Sequence, residues 1–200
     1  WVTPLSYSGA VSNGGRGHGI DTDANGNVFF VGRSKGSGFD HGFVTRLNSS
    51  GIIQWQNDLG GNQGSSLRDV AVDSNGNLYV TGWFKGSFSV QIGGTSESFS
   101  STNNDVLVGK LNAAGNWLWL RTTENSTSIE EGNSIAVNSN DEIYVVGSFY
   151  HYIEFGPFAL STGSSENGFI VKLNSSGDWK WVKKMDCAGT KIPYGVVLIQ

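Results

Sequence analysis

The chain is short of most things that announce an enzyme, a membrane protein or a nucleic-acid binder. It has one cysteine, Cys187, in 200 residues, so neither an internal disulfide nor a cysteine-built metal centre can form. Cys187 is read as a small packed thiol. Only 3 prolines stand against 29 glycines, which excludes a proline-rich stalk and leaves glycine as turn punctuation. No run approaches the roughly eighteen apolar residues of a membrane-crossing helix. Charge is scarce too, at 15% of residues with a formal net charge of −4. That balance offers no clustered Lys and Arg for a nucleic acid. Residue 1 is Trp and not Met, as expected of a sequence whose upstream part, a signal peptide included, has been cleaved or left out.

Polar composition alone would suit a disordered chain, but disordered chains lack aromatics and carry net charge. Here 12% of residues are aromatic, seven of them Trp, so the chain folds. Its length suits one domain with a sizeable core.

The sequence repeats. One unit runs from Gly19 through Asp21-Thr22-Asp23-Ala24-Asn25-Gly26-Asn27 to Val31-Gly32. The same pattern returns from Asp69 to Gly82 and from Ser134 to Gly147. Each copy has a β-branched run, an Asn/Asp/Gly turn and an alternating aromatic and aliphatic run, the strongest short-range sign of a β-hairpin. A second motif follows each copy: Leu47-Asn48-Ser49-Ser50-Gly51, Leu111-Asn112-Ala113-Ala114-Gly115 and Leu173-Asn174-Ser175-Ser176-Gly177. After it comes a Trp-bearing strand, Ile53-Gln54-Trp55, Trp117-Leu118-Trp119 or Trp179-Lys180-Trp181. Period-two spacing predicts that both Trp rings of a strand share one face. Four strands per copy in tandem predict an all-β fold, a β-propeller of four-stranded antiparallel blades.

The blades differ mainly between their second and third strands. Copy two inserts Ser87 to Asn104 and copy three inserts Tyr152 to Asn167, both expected as lengthened hairpin arms, while copy one passes directly through Ser37 to His41. Trp1-Val2-Thr3 aligns with the Trp strands and Gly195 to Gln200 with the first strands. The expected organisation is one propeller region over 1–200: a last strand and linker at 1–15, blades at 16–60, 61–125 and 126–187, and a first strand at 188–200. That is an arc of about three full blades with flanking single strands, completed by further blades of the same polypeptide or of another chain.

These motifs resemble the bacterial seven-bladed β-propeller repeat, the SBBP repeat, from about Gly19 to Trp181. The insert at 151–168 also resembles a lengthened version found in secreted and surface proteins of Bacteroidetes. NHL-type propellers share the opening of the unit, but Val31-Gly32-Arg33, Thr81-Gly82-Trp83 and Val146-Gly147-Ser148 depart from them. The SBBP resemblance implies the fold and an extracellular or cell-surface location. It does not specify an activity, since function lives in sites grafted on folds.

Few constellations carry chemistry. Asp21-Thr22-Asp23-Ala24-Asn25-Gly26 opens like a calcium loop but lacks its closing Glu, with Gly32 at that place; a hairpin turn already explains it. His18, His41 and His151 fall at non-equivalent places, and Glu130-Glu131 reads as a solvated turn. Arg46, Lys110 and Lys172 recur at one position, which assigns them a structural job. The sequons at Asn48, Asn125 and Asn174 mostly coincide with turns. No catalytic, cofactor or metal residue is assigned.

Propellers place ligands where innermost strands begin, and there the copies diverge: His18, Arg68, Asn133 and Tyr194. Trp83 stands where the other copies have Arg33 and Ser148. These five are the candidate ligand-binding residues. The expected function is a non-enzymatic secreted or cell-surface module, a protein-binding, scaffold or adhesion surface for a protein or glycan. A lectin-like propeller and a fragment of a propeller enzyme such as a lyase are the alternatives.

Overall fold

The computed structural model describes residues 14–35, 38–125, 128–185 and 192–197. Trp1 to Thr3, Cys187 and residues 198–200 lie outside them. The described residues form three four-stranded antiparallel sheets and no helix. Blade 1 holds β1 (Arg16–Thr22), β2 (Val28–Lys35), β3 (Asp40–Leu47) and β4 (Ile53–Asp58). Blade 2 holds β5 (Ser65–Val72), β6 (Leu78–Ile92), β7 (Thr95–Leu111) and β8 (Trp117–Thr122). Blade 3 holds β9 (Glu130–Val137), β10 (Ile143–Phe149), β13 (Asn167–Leu173) and β14 (Trp179–Lys184), with a separate hairpin of β11 (Tyr152–Phe155) and β12 (Phe158–Ser161). Each blade is a meander, the arrangement of a propeller.

Local chemistry sets the turns. Asp73 Oδ1 accepts from the backbone of Asn75 and Asn77, and Asn112 Oδ1 accepts from Ala114 and Asn116. Asp23, Asn48, Asn138 and Asn174 repeat this Asx closure. The core lies between blades. One cluster joins Phe29, Val31 and Val44 of blade 1 to Leu78, Val80 and Leu107 of blade 2. The other joins Tyr79, Val106 and Val108 of blade 2 to Ile143, Val145 and Val171 of blade 3. Alternation along β6 sends neighbouring side chains to opposite blades.

The two Trp rings of a fourth strand do not share a face. Leu111 pairs with Trp117 but Lys110 pairs with Trp119, so a bulge absorbs Leu118. An extra residue in one strand reverses the alternation. Trp117 therefore packs in the first core and Trp119 in the second. The same bulge recurs in blades 1 and 3.

Both inserts are hairpin arms. In blade 2 the arm continues β6 and β7 past a bulge at Gly86 (φ 76°) and turns at Gly93 and Gly94. In blade 3, His151 sits at φ 60° and breaks the strand, so β11 and β12 form a sheet of their own. Residues 192–197 carry no strand, having no hairpin partner among the described residues. Val196 N–H still donates to Ser134 Oγ at 3.2 Å, where Ile135 N–H meets Asp69 Oδ2 at 3.0 Å one blade earlier.

Candidate functional site

In a four-stranded meander, first strands start and second strands end on the same side. This upper side holds the starts of β1, β5 and β9 and the roots of both arms; the Asx turns occupy the lower side, where the arm tips reach Trp117 and Trp179.

Side chains of the joints pair across the strands. Phe29, Arg46 and Trp55 lie opposite one another across three strands, as do Tyr79, Lys110 and Trp119, and Tyr144, Lys172 and Trp181. The cations cap the aromatic rings at 4.7 to 5.7 Å. Lys172 also meets Glu142 at 2.6 Å, which holds the Glu142 carboxyl below its ordinary value. Trp55 Nε1 and Arg46 donate to the Ala113 carbonyl of the next blade.

Of the candidate residues, three form successive links around the inner strands. His18 Nδ1 donates to the Leu67 carbonyl at 2.9 Å, with Ser66 Oγ at 3.3 Å. Arg68 bridges Glu131 at 2.8 Å. Asn133 Nδ2 donates to the Pro193 carbonyl at 3.0 Å, beside Tyr194, which is 80% exposed. Trp83 is not among them. It is half-buried between Ser66 and Val106 in the sheet, and its indole nitrogen is buried with no acceptor among the described residues.

The mouth is basic on the blade 1 side. Burial lowers the His18 pKa; the bond to Leu67 opposes this, and Arg68, Arg33 and Arg16 push the same way as burial. Arg33 is paired with Asp40 at 2.9 Å, and the two line a recess with Arg16 and Lys35. Glu130-Glu131 is not a solvated turn. Glu130 is fully buried and accepts from the Thr123 hydroxyl at 2.6 Å, while Glu131 is the partner of Arg68.

The Asp21–Gly26 stretch spends its carboxylates on backbone N–H groups and the Asn27 amide. Asp21 Oδ2 accepts from Val72 N–H at 2.8 Å, and Asp23 closes its own turn. Among the described residues no group of three or more His, Cys, Asp or Glu is placed to hold a metal ion.

Sequence reasoning passed over a recess of about 580 Å³ between the blade 2 arm and the segment after β8. Ser87, Ser100 and Thr102 line it from the arm, facing Glu124 and Asn125. A smaller recess of about 290 Å³ lies on the arm's other flank, bounded by Asn57, Gln91 and Asn116. The readable signal was the first Trp of the fourth strand. Blade 1, with no arm, has Ile53 there, whereas Trp117 and Trp179 stand in the armed blades. Trp117 pairs with Ile92 of its arm, and Trp179 packs on Phe155 and under Gly156 of its own.

Residues 59–86 match the SBBP family, described as a beta-propeller repeat. An uncharacterized WD repeat-containing protein of Acanthamoeba polyphaga mimivirus is 28% identical over 176 residues, 72% of this chain. The chain spans only 13% of that relative's length. A protein of unknown function from Bacteroides caccae aligns over 92% of this chain and 85% of its own at 10% identity, with a TM-score of 0.30. Three four-stranded blades and the joints that repeat between them make this chain an arc of β-propeller blades, and residues 59–86 of it match the SBBP repeat.

Proposed function

We propose that this arc is a non-enzymatic binding module of a secreted or cell-surface protein, acting as a scaffold or adhesion surface for a protein or glycan on its upper side. The observation that carries this reading is a division of labour. The recurring Asx, Trp and cationic side chains are consumed in turns and joints, whereas the upper side differs in every blade and is where both arms begin. Unequal decoration of equal units is what a non-symmetric partner needs.

Further blades of the same repeat, from this polypeptide or another, complete the ring. Ile20 is 68% exposed, whereas its counterparts Val70 and Ile135 are 4% and 3% exposed beneath the preceding blade. The surface location rests on the SBBP resemblance. Protease treatment of intact cells, followed by immunoblotting for the protein, tests it; protection until the cells are lysed would rule it out. The binding role is tested with a chain in which the blade 2 arm is cut back to the short connection of blade 1. Equal capture of surface proteins and glycans by both forms would remove the upper side as the reading surface.

A further inference from the structure

We infer that the recess between the blade 2 arm and the segment after β8 is a binding site for a neutral, polyhydroxylated ligand, a saccharide of about one or two rings. This rests on the binding-module reading and adds the ligand class. Phe84, Phe88 and Val90 are buried on one face of the arm, and Phe99 stacks on Phe88 with centroids 5.3 Å apart. The opposite face is a ladder of uncharged polar pairs, Ser87 with Ser100, Ser89 with Ser98 and Gln91 with Ser96. A core-anchored hairpin thus presents hydroxyl and amide groups to solvent at fixed spacing.

The facing wall is equally fixed. Glu124 N–H donates to the Glu154 carbonyl at 3.2 Å, and the Asn125 amide donates to the Glu154 carboxylate, so the blade 3 arm braces this segment. Behind it, Thr123 Oγ1 accepts from Val106 N–H and donates to Glu130. Both walls are set before any ligand arrives, which reduces the ordering cost of binding.

Lining chemistry then selects the ligand. Besides Gly86, every lining residue bears a hydroxyl, amide or carboxylate: Gln63 joins the arm residues, and Asp105 and Glu124 are the acids. Among the described residues no cation lines the recess, and the Glu124 carboxylate repels phosphate, sulfate and carboxylate groups. Among the described residues no aliphatic or aromatic wall is present to take a lipid or to hold an organic cation by its π-face. The described residues place no three metal ligands together. Vicinal hydroxyls remain, since they both donate and accept, as Ser, Thr, Gln and Asn do, and can donate in pairs to a carboxylate.

Isothermal titration of the full chain with cellobiose, maltose and lactose tests this, with a glucuronate-containing disaccharide as the acidic comparison. The inference expects at least one neutral disaccharide to bind, the acidic analogue to bind at least tenfold more weakly, and Ser100→Val/Thr102→Val to weaken binding tenfold or more. Gln63→Ala, which leaves the arm untouched, should weaken it several-fold, and Ser96→Val at the arm tip should not. Unchanged circular dichroism melting certifies each variant. Absence of neutral saccharide binding at concentrations on the order of 10 mM, stronger binding of the acidic analogue, or full affinity in the double variant would overturn the saccharide assignment. If none binds while the arm-shortened chain still loses a surface protein partner, the saccharide site is wrong and the binding module stands.

Discussion

The indole N–H of Trp119 donates to the carbonyl of Ser175 at 3.0 Å, reaching from the fourth strand of blade 2 into a turn of blade 3. Trp55 makes the same bond to Ala113 one blade earlier, also at 3.0 Å. The repeat thus encodes the joint between blades as well as the blade. The fourth strands of blades 1 and 2 each supply a Trp, and the next Leu-Asn-x-x-Gly turn supplies the acceptor and a glycine on which the ring rests.

Trp119→Phe keeps a ring but removes the donor, leaving the Ser175 carbonyl unpaired. It is expected to lower unfolding stability by about 1–2 kcal/mol. Trp83→Phe removes an N–H that is already buried without an acceptor, so it should be neutral or stabilising. Urea midpoints at unchanged m-value compare the two. A larger loss at Trp83 than at Trp119 would contradict the joint.

Gly115 is required twice over. Its φ is 85°, and a Cβ there would stand 2.9 Å from the ring of Trp55. Gly115→Ala should therefore cost about 2 kcal/mol or more. Gly163→Ala meets nothing within 4 Å and has no left-handed φ, so it should stay within about 0.5 kcal/mol of the parent or gain slightly. Thermal melts of the pair give the contrast, and equal shifts would refute it.

Asp69 ties the inner strands of blades 2 and 3. Its Oδ2 accepts from Ile135 N–H at 3.0 Å and from Ser134 Oγ at 2.6 Å. Asp69→Ala leaves both donors in a buried joint, at a cost of about 2–4 kcal/mol. Asp69→Asn keeps one acceptor and should recover part of that loss. Were alanine and asparagine equally mild in urea denaturation, the tie would contribute little.

Much of this was legible because its causes are local. Asn-Gly turns, Asx closure and β-branched runs act over four or five residues, so the three blades could be counted from the sequence. The recurrence of Arg46, Lys110 and Lys172 disclosed a structural duty, though not that each caps the aromatic of its own blade. Longer-range events stayed hidden. Gly19 stands where Asp69 and Ser134 tie their joints, and a Cβ there would fall 2.7 Å from Asp69. Asp21, two residues on, takes over by accepting from Val72 N–H. From sequence, that same carboxylate resembled the start of a calcium loop. Facing of the Trp rings was misjudged because a one-residue bulge leaves the spelling of a strand unchanged. The wide recess was missed because it is assembled from an arm of one blade and a segment braced by another.

His18 should give the upper side its own pH dependence. Burial, reinforced by Arg68, Arg33 and Arg16, lowers its folded pKa below the ordinary value of 6.5, against the opposing bond to Leu67. Between the two values the unfolded chain binds a proton that the folded chain does not, so stability rises with pH across that window. The contribution is fully present above 6.5 and is lost as pH falls from there through the folded value. The imidazolium still donates to Leu67; what acid adds is a desolvated charge beside three guanidiniums. His18→Asn retains a donor and cannot titrate. Melting temperatures measured from about pH 8 to about pH 5 should fall more steeply for the parent than for the variant below pH 6.5. Parallel curves would show that the imidazole does not feel its arginines, and a parent that gains on the variant in acid would reverse the sign of the argument.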